Sequence, residues 1–279
     1  MRHLYSVDFL DRNFGFACGQ GTILFTANGG QTWTAQESGI GTYKLYSIDA
    51  IAPDYGMVVG RDGIILRTED KGAHWKLQEG AKVMPLKGIS FVDSLNGWAI
   101  GWYGTIIHTT DGGKNWKAQK SPTNVFFNSI KAISLTSVIA VGEHGALVRT
   151  TNGGTTWNIE LSETADSLYS VCTAGKNLYV VGDHGTIVRS TDGGSKWECL
   201  DRVTMSNLRG ISFSDELHGT AVGMYGTIVR TDDGGKHWKA LPDPPTGITT
   251  LFSVSQLDAK TIIIVGLNGT ILRTTTGGL

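Results

Sequence analysis

One phrase recurs along this chain at nearly constant distance, and the recurrence limits the fold more than any local motif. It reads GTILFTANGGQTW from Gly21, GIILRTEDKGAHW from Gly63, GTIIHTTDGGKNW from Gly104, GALVRTTNGGTTW from Gly145, GTIVRSTDGGSKW from Gly185, GTIVRTDDGGKHW from Gly226 and, shortened, GTILRTTTGGL from Gly269. The first glycines lie 42, 41, 41, 40, 41 and 43 residues apart. A period of this size marks an array of one supersecondary unit. A phosphate-binding glycine loop works once, at one strand-to-helix junction, so seven copies with no helical pattern behind them exclude that reading. A calcium loop fits poorly too, because one carboxylate per turn falls short of the roughly 6 to 8 oxygens a calcium ion takes.

The third repeat shows what each unit contains: LKGISFVD (Leu86 to Asp93), NGWAIG (Asn96 to Gly101), GTIIHTT (Gly104 to Thr110) and WKAQKS (Trp116 to Ser121). These segments are short, rich in β-branched and aromatic residues, and separated by Gly, Asn and Asp, the pattern of strands joined by tight turns. No longer segment keeps a helical apolar period. Four strands per unit and seven units predict an all-β fold, a seven-bladed β-propeller with four antiparallel strands per blade. One domain, 1–279, is expected, with repeats at about 1–40, 41–82, 83–123, 124–164, 165–204, 205–246 and 247–279. The Gly-His and Trp-Asp signatures of WD-type propellers are absent. The last repeat reaches Leu279 just where a Trp and an outer strand should follow. Blade seven is therefore expected to have three strands unless another segment or a partner chain supplies the fourth.

Composition adds exclusions. Glycine, 38 of 279 residues, is about twice its usual share, as an array of tight turns requires. Lys plus Arg number 24 against 25 for Asp plus Glu, a net charge of -1, so no global basic field draws nucleic acid. No apolar run approaches the roughly 20 residues that span a bilayer, and Met1 to Leu10 lacks the apolar stretch of a secretory signal. Cys18, Cys172 and Cys199 form no CxxC pair, which argues against a disulfide framework and a zinc site. Cys172 falls on the innermost and Cys199 on the outermost strand of one blade, three strand spacings or roughly 14 Å apart, too far for a disulfide.

The turn TTDGGKNW joins the third strand of a blade to the fourth. Its Asp and two glycines suit a hairpin that needs positive φ, the acidic side chain can bond backbone N–H groups two residues on, and the Trp can pack under the turn with its indole N–H partnered. This stretch resembles the Asp box of bacterial neuraminidases, Ser/Thr-x-Asp-x-Gly-x-Thr-Trp, at Thr26 to Trp33, Thr68 to Trp75, Thr109 to Trp116, Thr150 to Trp157, Ser190 to Trp197 and Thr231 to Trp238. The resemblance implies a structural box away from any active site. The longer pattern from Val181 to Trp197 (VGDHGTIVRSTDGGSKW), repeated from Val222 to Trp238, resembles the photosystem II stability and assembly factor family over nearly the whole chain. That resemblance implies a non-enzymatic seven-bladed propeller that holds newly made reaction-centre subunits, an extracytoplasmic setting in periplasm or thylakoid lumen, and an arginine patch on the propeller.

If the box is scaffold, function belongs where the repeats differ. Between the second and third strands the residues framed by glycines are Arg61-Asp62, Trp102-Tyr103, Glu143-His144, Asp183-His184, Met224-Tyr225 and Leu267-Asn268, with only Gln20 in the first repeat. At the start of the innermost strand stand Tyr5, Tyr46, Lys87, Asn128, Tyr169, Arg209 and Phe252. Propeller topology puts both slots at one end of the ring, around the mouth of the central channel. Exposed turns tolerate most residues; equally, aromatics mixed with charges are what recognition surfaces favour. The candidates for contact with a partner are Arg61, Lys87, Trp102, Tyr103, His144, His184, Arg209 and Tyr225. The acid-histidine pairs invite a metal reading, but no spacing rule holds them together, and no metal or cofactor is expected. Arg67, Arg149, Arg189, Arg230 and Arg273 recur in strand three, where Phe25 and His108 break the series. Regular recurrence favours a bond made once per blade over a partner site.

Nothing resembles HExxH, GxSxG or a Cys/His nucleophile arrangement. The expected function is a non-enzymatic scaffold that binds a protein or peptide on the ring face, with neither nucleic acid nor a membrane span. The alternative is a carbohydrate-active propeller, sialidase-like hydrolase or lectin, which would show two carboxylates about 5 to 9.5 Å apart in a channel pocket with aromatic platforms.

Overall fold

A computed structural model describes residues 2–78, 84–242 and 250–278. Six four-stranded antiparallel sheets and one three-stranded sheet, each running from inner to outer strand in sequence order, form the seven blades of a propeller. The inner strands are Leu4–Phe9, Leu45–Ala52, Leu86–Phe91, Phe127–Ala132, Leu168–Ala174, Leu208–Phe213 and Leu251–Gln256. Blade seven has three strands, ending with Ile271–Thr274, as the truncated repeat predicts. Repeat boundaries expected at 82/83 and 246/247 lie outside the described residues.

No blade has an interior of its own. The second strands, such as Val138–Gly142, are buried at every position but the half-buried Asn177 of blade five, because each faces a neighbouring sheet on both sides. The apolar core is divided among seven clusters, one per junction. Trp98 and Ile100 of blade three meet Phe127 and Trp157 of blade four, for example, and Val265 of blade seven meets Leu4 of blade one. Each Asp-box Trp packs into the junction with the preceding blade, as Trp75 does on Phe16 of blade one and Trp238 does in the cluster that holds Tyr179 of blade five.

Neighbouring inner strands are joined around the channel by side chains. Hydroxyls on the third residue of the strand accept the N–H of the next blade: Ser6 from Ile48, Ser129 from Val171, Ser170 from Ile211 and, closing the ring, Ser253 from Val7. Where that third residue is Gly88 or Gly210, the task moves to the fifth, with Ser90 accepting from Ala132 and Ser212 from Gln256. Asp8 and Asp49 do the same for Ala50 and Phe91 at 2.8 and 2.6 Å. All seven junctions therefore carry at least one such bond.

The Asp box is scaffold, with one difference from the expected wiring. Thr109 Oγ1 donates to Asp111 Oδ1 and accepts the Gly113 N–H, while Asp111 accepts the N–H of Asn115, four residues on rather than two. The Thr hydroxyl occupies the nearer amide, which pushes the carboxylate to the farther one. Hydrogen bonds from the Asn115 side chain and backbone hold the Asp111 carboxyl at about 2. Trp116 and Trp197 donate their indole N–H to Gly113 and Gly194 carbonyls. Trp33, Trp75 and Trp238 have no indole partner among the described residues, so the ring's burial, not its N–H, is the common element.

Candidate binding face at the channel mouth

A repeated backbone irregularity builds this face. In every blade the first and third residues of the inner strand pair with consecutive residues of the second strand, as Leu86 and Gly88 do with Gly101 and Ile100. The second residue is thus a β-bulge, and a bulge re-aims its side chain. The seven bulged residues are Tyr5, Tyr46, Lys87, Asn128, Tyr169, Arg209 and Phe252, and all seven line one cavity of about 380 Å³ at the channel mouth. The glycine ending each second strand permits the arrangement. A Cβ on Gly101 would overlap the Pro85 carbonyl oxygen, the same oxygen that accepts the Trp102 N–H.

The wall is uneven. Tyr5 lies 5.7 Å from Tyr46 and 5.4 Å from Phe252, ring centre to ring centre, an aromatic arc on blades seven, one and two. On the blades that flank it, the Lys87 ammonium sits 4.0 Å from the Tyr46 ring centre, and the Arg209 guanidinium lies 3.8 Å from that of Tyr169, both in cation–π range. The Tyr169 hydroxyl donates to Asp183 at 2.8 Å. Burial, and then repulsion from Arg209 and Lys44, lowers the Lys87 pKa to about 8.

The second turns surround this cavity. Their second variable residue is left-handed in six blades: φ is 59° at Asp62, 52° at Tyr103, 57° at His144, 54° at His184, 58° at Tyr225 and 56° at Asn268. Asn and Asp tolerate that region; Tyr does so at a cost. Yet Tyr103 is 58% and Tyr225 73% exposed. Trp102 stacks on Phe126 with ring centres 5.2 Å apart, and Tyr103 meets the same ring edge-on at 4.9 Å. His184 Nδ1 pairs with Asp166 at 3.1 Å, and Asp166 also holds Arg202. Arg61 borders a shallower depression with Gln20, Tyr43 and Lys44. Of the sequence candidates, only Lys87 and Arg209 line the central cavity, while Arg61, Trp102, Tyr103, His144, His184 and Tyr225 form the rim.

Phe126, Lys44 and the Asp166–Arg202 pair escaped sequence reasoning. The first two occupy the position just before each inner strand, a slot repeating at the same period one residue upstream of the start of the strand. His108 stands apart from the rim, stacked on Trp98 at 4.2 Å. The recurring arginines bond within or between blades: Arg67 to Glu69, Arg189 to Glu198, Arg149 to Ser195, and Arg273 to the Gly29 carbonyl.

One ring deeper, Asp8, Asp49, Lys131 and Cys172 line the channel. Burial and the charge of Asp8 raise the Asp49 pKa to about 7, and Asp8 is raised by burial as well. Each carboxyl also accepts a backbone N–H of the next blade, Ala50 for Asp8 and Phe91 for Asp49. Among the described residues no three His, Cys, Asp or Glu side chains converge as a metal site would need.

A family profile described as Photosynthesis system II assembly factor YCF48 matches residues 1–85, 77–164, 130–208 and 195–279. These segments together span the chain. The chain belongs to the YCF48 assembly factor family. The resemblance read from the repeats is thereby met. A solved structure of YCF48 bound to D1 peptide shares 22% identity with this chain, covering 99% of it and 92% of the other, at a TM-score of 0.80. YCF48 from Cyanidioschyzon merolae is 19% identical over 98% and 95% of the two chains, with a TM-score of 0.79. Virginiamycin B lyase from Staphylococcus aureus, as its selenomethionine form, is 15% identical over 98% and 94%, with a TM-score of 0.83. At these identities the likeness establishes the fold. A lyase on the same scaffold means that the fold alone does not separate binding from catalysis. No curated protein matches the chain. Among the described residues, no helix is long and apolar enough to cross a membrane.

Proposed function

We propose that this member of the YCF48 family is a non-enzymatic assembly scaffold that holds a protein or peptide on the ring face around the channel mouth. The observation that carries this reading is the bulge repeated in all seven blades. It turns the most variable side chains of the repeat toward one cavity, while two exposed tyrosines on the rim are kept in a backbone region that costs about 1 kcal/mol or more. Strain held at an exposed aromatic points to use. A solved fold neighbour, YCF48 bound to D1 peptide, supports a peptide as ligand class. The carbohydrate alternative has less support, because the mouth cavity has no Asp or Glu in its lining and the deeper carboxyls of Asp8 and Asp49 are engaged as acceptors of the Ala50 and Phe91 N–H, where a glycosidase needs a free pair.

The test compares immobilised wild type with a Trp102→Ala, Tyr225→Asn double variant for capture of partners from extract of the source cells. Loss of specific partners from the variant is expected. An identical captured set would end the ring-face reading.

A further inference from the structure

The cavity at the channel mouth carries a charge imbalance that the fold does not use. Its lining includes Lys44, Lys87 and Arg209, and no Asp or Glu. Elsewhere three of the partly buried arginines find carboxylates, Arg67 with Glu69, Arg189 with Glu198 and Arg230 with Asp232, and Arg149 finds the Ser195 hydroxyl. Arg209 and Lys87 instead rest on the faces of Tyr169 and Tyr46, and Arg209 reaches only the Met224 sulfur, 3.9 Å away. The Asp183 carboxylate on this side accepts the Tyr169 hydroxyl. Two desolvated cations with no counter-charge among the described residues make a site complementary to an anion.

The other half of the wall says what the anion is attached to. Tyr5, Tyr46 and Phe252 touch one another and present ring surface, an environment that rewards an apolar or aromatic body and not a bare ion. Asn128 donates one amide hydrogen to the Leu168 carbonyl at 2.9 Å, which fixes its amide in the wall between the two cations.

We propose that the mouth cavity binds a carboxylate borne on an apolar or aromatic body, the carboxylate facing Lys87 and Arg209 and the body lying against Tyr5, Tyr46 and Phe252. This rests on the reading of the face as a recognition surface and names the chemistry that it recognises. The carboxylate belongs either to an acidic residue beside an aromatic one in a docked chain or to a free carboxylic acid. The depressed Lys87 amine adds a signature, since binding then weakens as pH rises through about 8.

The test is calorimetric and NMR titration of the intact chain with four probes: 3-phenylpropionate, 3-phenylpropanamide, and two capped hexapeptides, Ac-AAEFAA-NH2 and Ac-AAQFAA-NH2. Each acid is expected to bind at least about tenfold more tightly than its amide, a difference of about 1.4 kcal/mol. Lys87→Met and Arg209→Met should each remove that preference, and Lys87→Arg should restore it with its pH dependence moved above 10 or so. Melting temperatures within about 2 °C of wild type show that the variants fold. Saturation by the free acid alone assigns a small-molecule source, and by the peptide alone a protein source. Equal binding of acid and amide, no saturation by either acid below about 20 mM, or retained preference in Lys87→Met overturns the proposal. If those results appear while partner capture still depends on Trp102 and Tyr225, only the carboxylate inference falls. If the acids bind and capture is unchanged by the rim variant, the ring-face reading falls and the cavity stands as a small-molecule site.

Discussion

Replacing Tyr225 by Asn should stabilise the protein while weakening its use. Tyr225 sits at φ 58°, where the Cβ of an ordinary L-residue crowds the following carbonyl at a cost of about 1–2 kcal/mol. Its ring is 73% exposed, so truncation forfeits little burial. Asn enters the left-handed region readily, and blade seven already places Asn268 there at φ 56°. The unfolded-state entropies of Tyr and Asn are close, unlike that of Gly, so the relief of strain is not cancelled in the denatured chain. A net gain of about 1 kcal/mol follows. With an unfolding entropy of about 2.1 cal/mol/K per residue, or about 0.6 kcal/mol/K for a chain of this length, Tm should rise by about 1.5–2 °C. Differential scanning calorimetry under reversible conditions reads that shift. The reciprocal change, Asn268→Tyr, should lower Tm by a similar amount, and the two together should cancel, the sites being separate. An unchanged or lower Tm in Tyr225→Asn would show that the ring makes contacts worth the strain, and the inference from backbone conformation to function would collapse.

Other expectations concern the scaffold. Asp49 has a folded-state pKa near 7, raised by burial and by Asp8; its protonated form is favoured by folding, so stability is full below about pH 4 and is lost as pH rises toward 7. Asp49→Asn, which keeps an acceptor for the Phe91 N–H, should flatten that fall in urea titrations, and an unaltered slope would count against a raised Asp49 pKa. The box carboxylates of Asp70 and Asp111, held near 2, act in the opposite sense, their contribution disappearing as pH drops from about 4 to 2. Gly223→Ala should cost about 2–3 kcal/mol by driving a Cβ into the Asn207 carbonyl, seen as a Tm loss of about 4 °C; a neutral result would mean that the bulge adjusts freely. Of the three thiols, all free, Cys199 is exposed, Cys18 buried, and the Cys172 thiol pushed up to about 12 by burial. Ellman's reagent should therefore titrate one thiol in the native protein and three after unfolding, whereas a Cys172–Cys199 bond would break the strand assignment.

Much of the fold was legible because a period near 41 residues with four turn-bounded segments leaves few alternatives. The two slots that surround the channel could be placed by topology alone. What sequence did not carry was side-chain direction. Tyr5 and Arg209 look like ordinary strand residues, and only the paired register reveals that they are bulged into the cavity. A Gly-flanked dipeptide announces a turn without saying which of its residues takes positive φ, and Tyr103 is the residue type least expected there. Phe126 and Lys44 stand one residue outside the segment that was compared between repeats. In blades three and six the shift of the inter-blade bond from third to fifth residue follows from Gly88 and Gly210, yet it is visible only once the close approach of neighbouring strands is known.

The seam between blade seven and blade one joins the most distant parts of the chain. Ser253 accepts from Val7, Arg273 donates to Gly29, and His3 accepts from the Asn268 N–H. Six junctions can form as the blades emerge in order, each between neighbours in sequence, but this seventh must wait for a loop of some 240 residues to close. Until then the inner faces of both terminal blades, Leu4 and Val7 on one side and Val265 on the other, are open to water and to other chains. The ring is therefore most exposed to mispairing during its own synthesis, at the one boundary that no backbone crosses and only side-chain contacts hold.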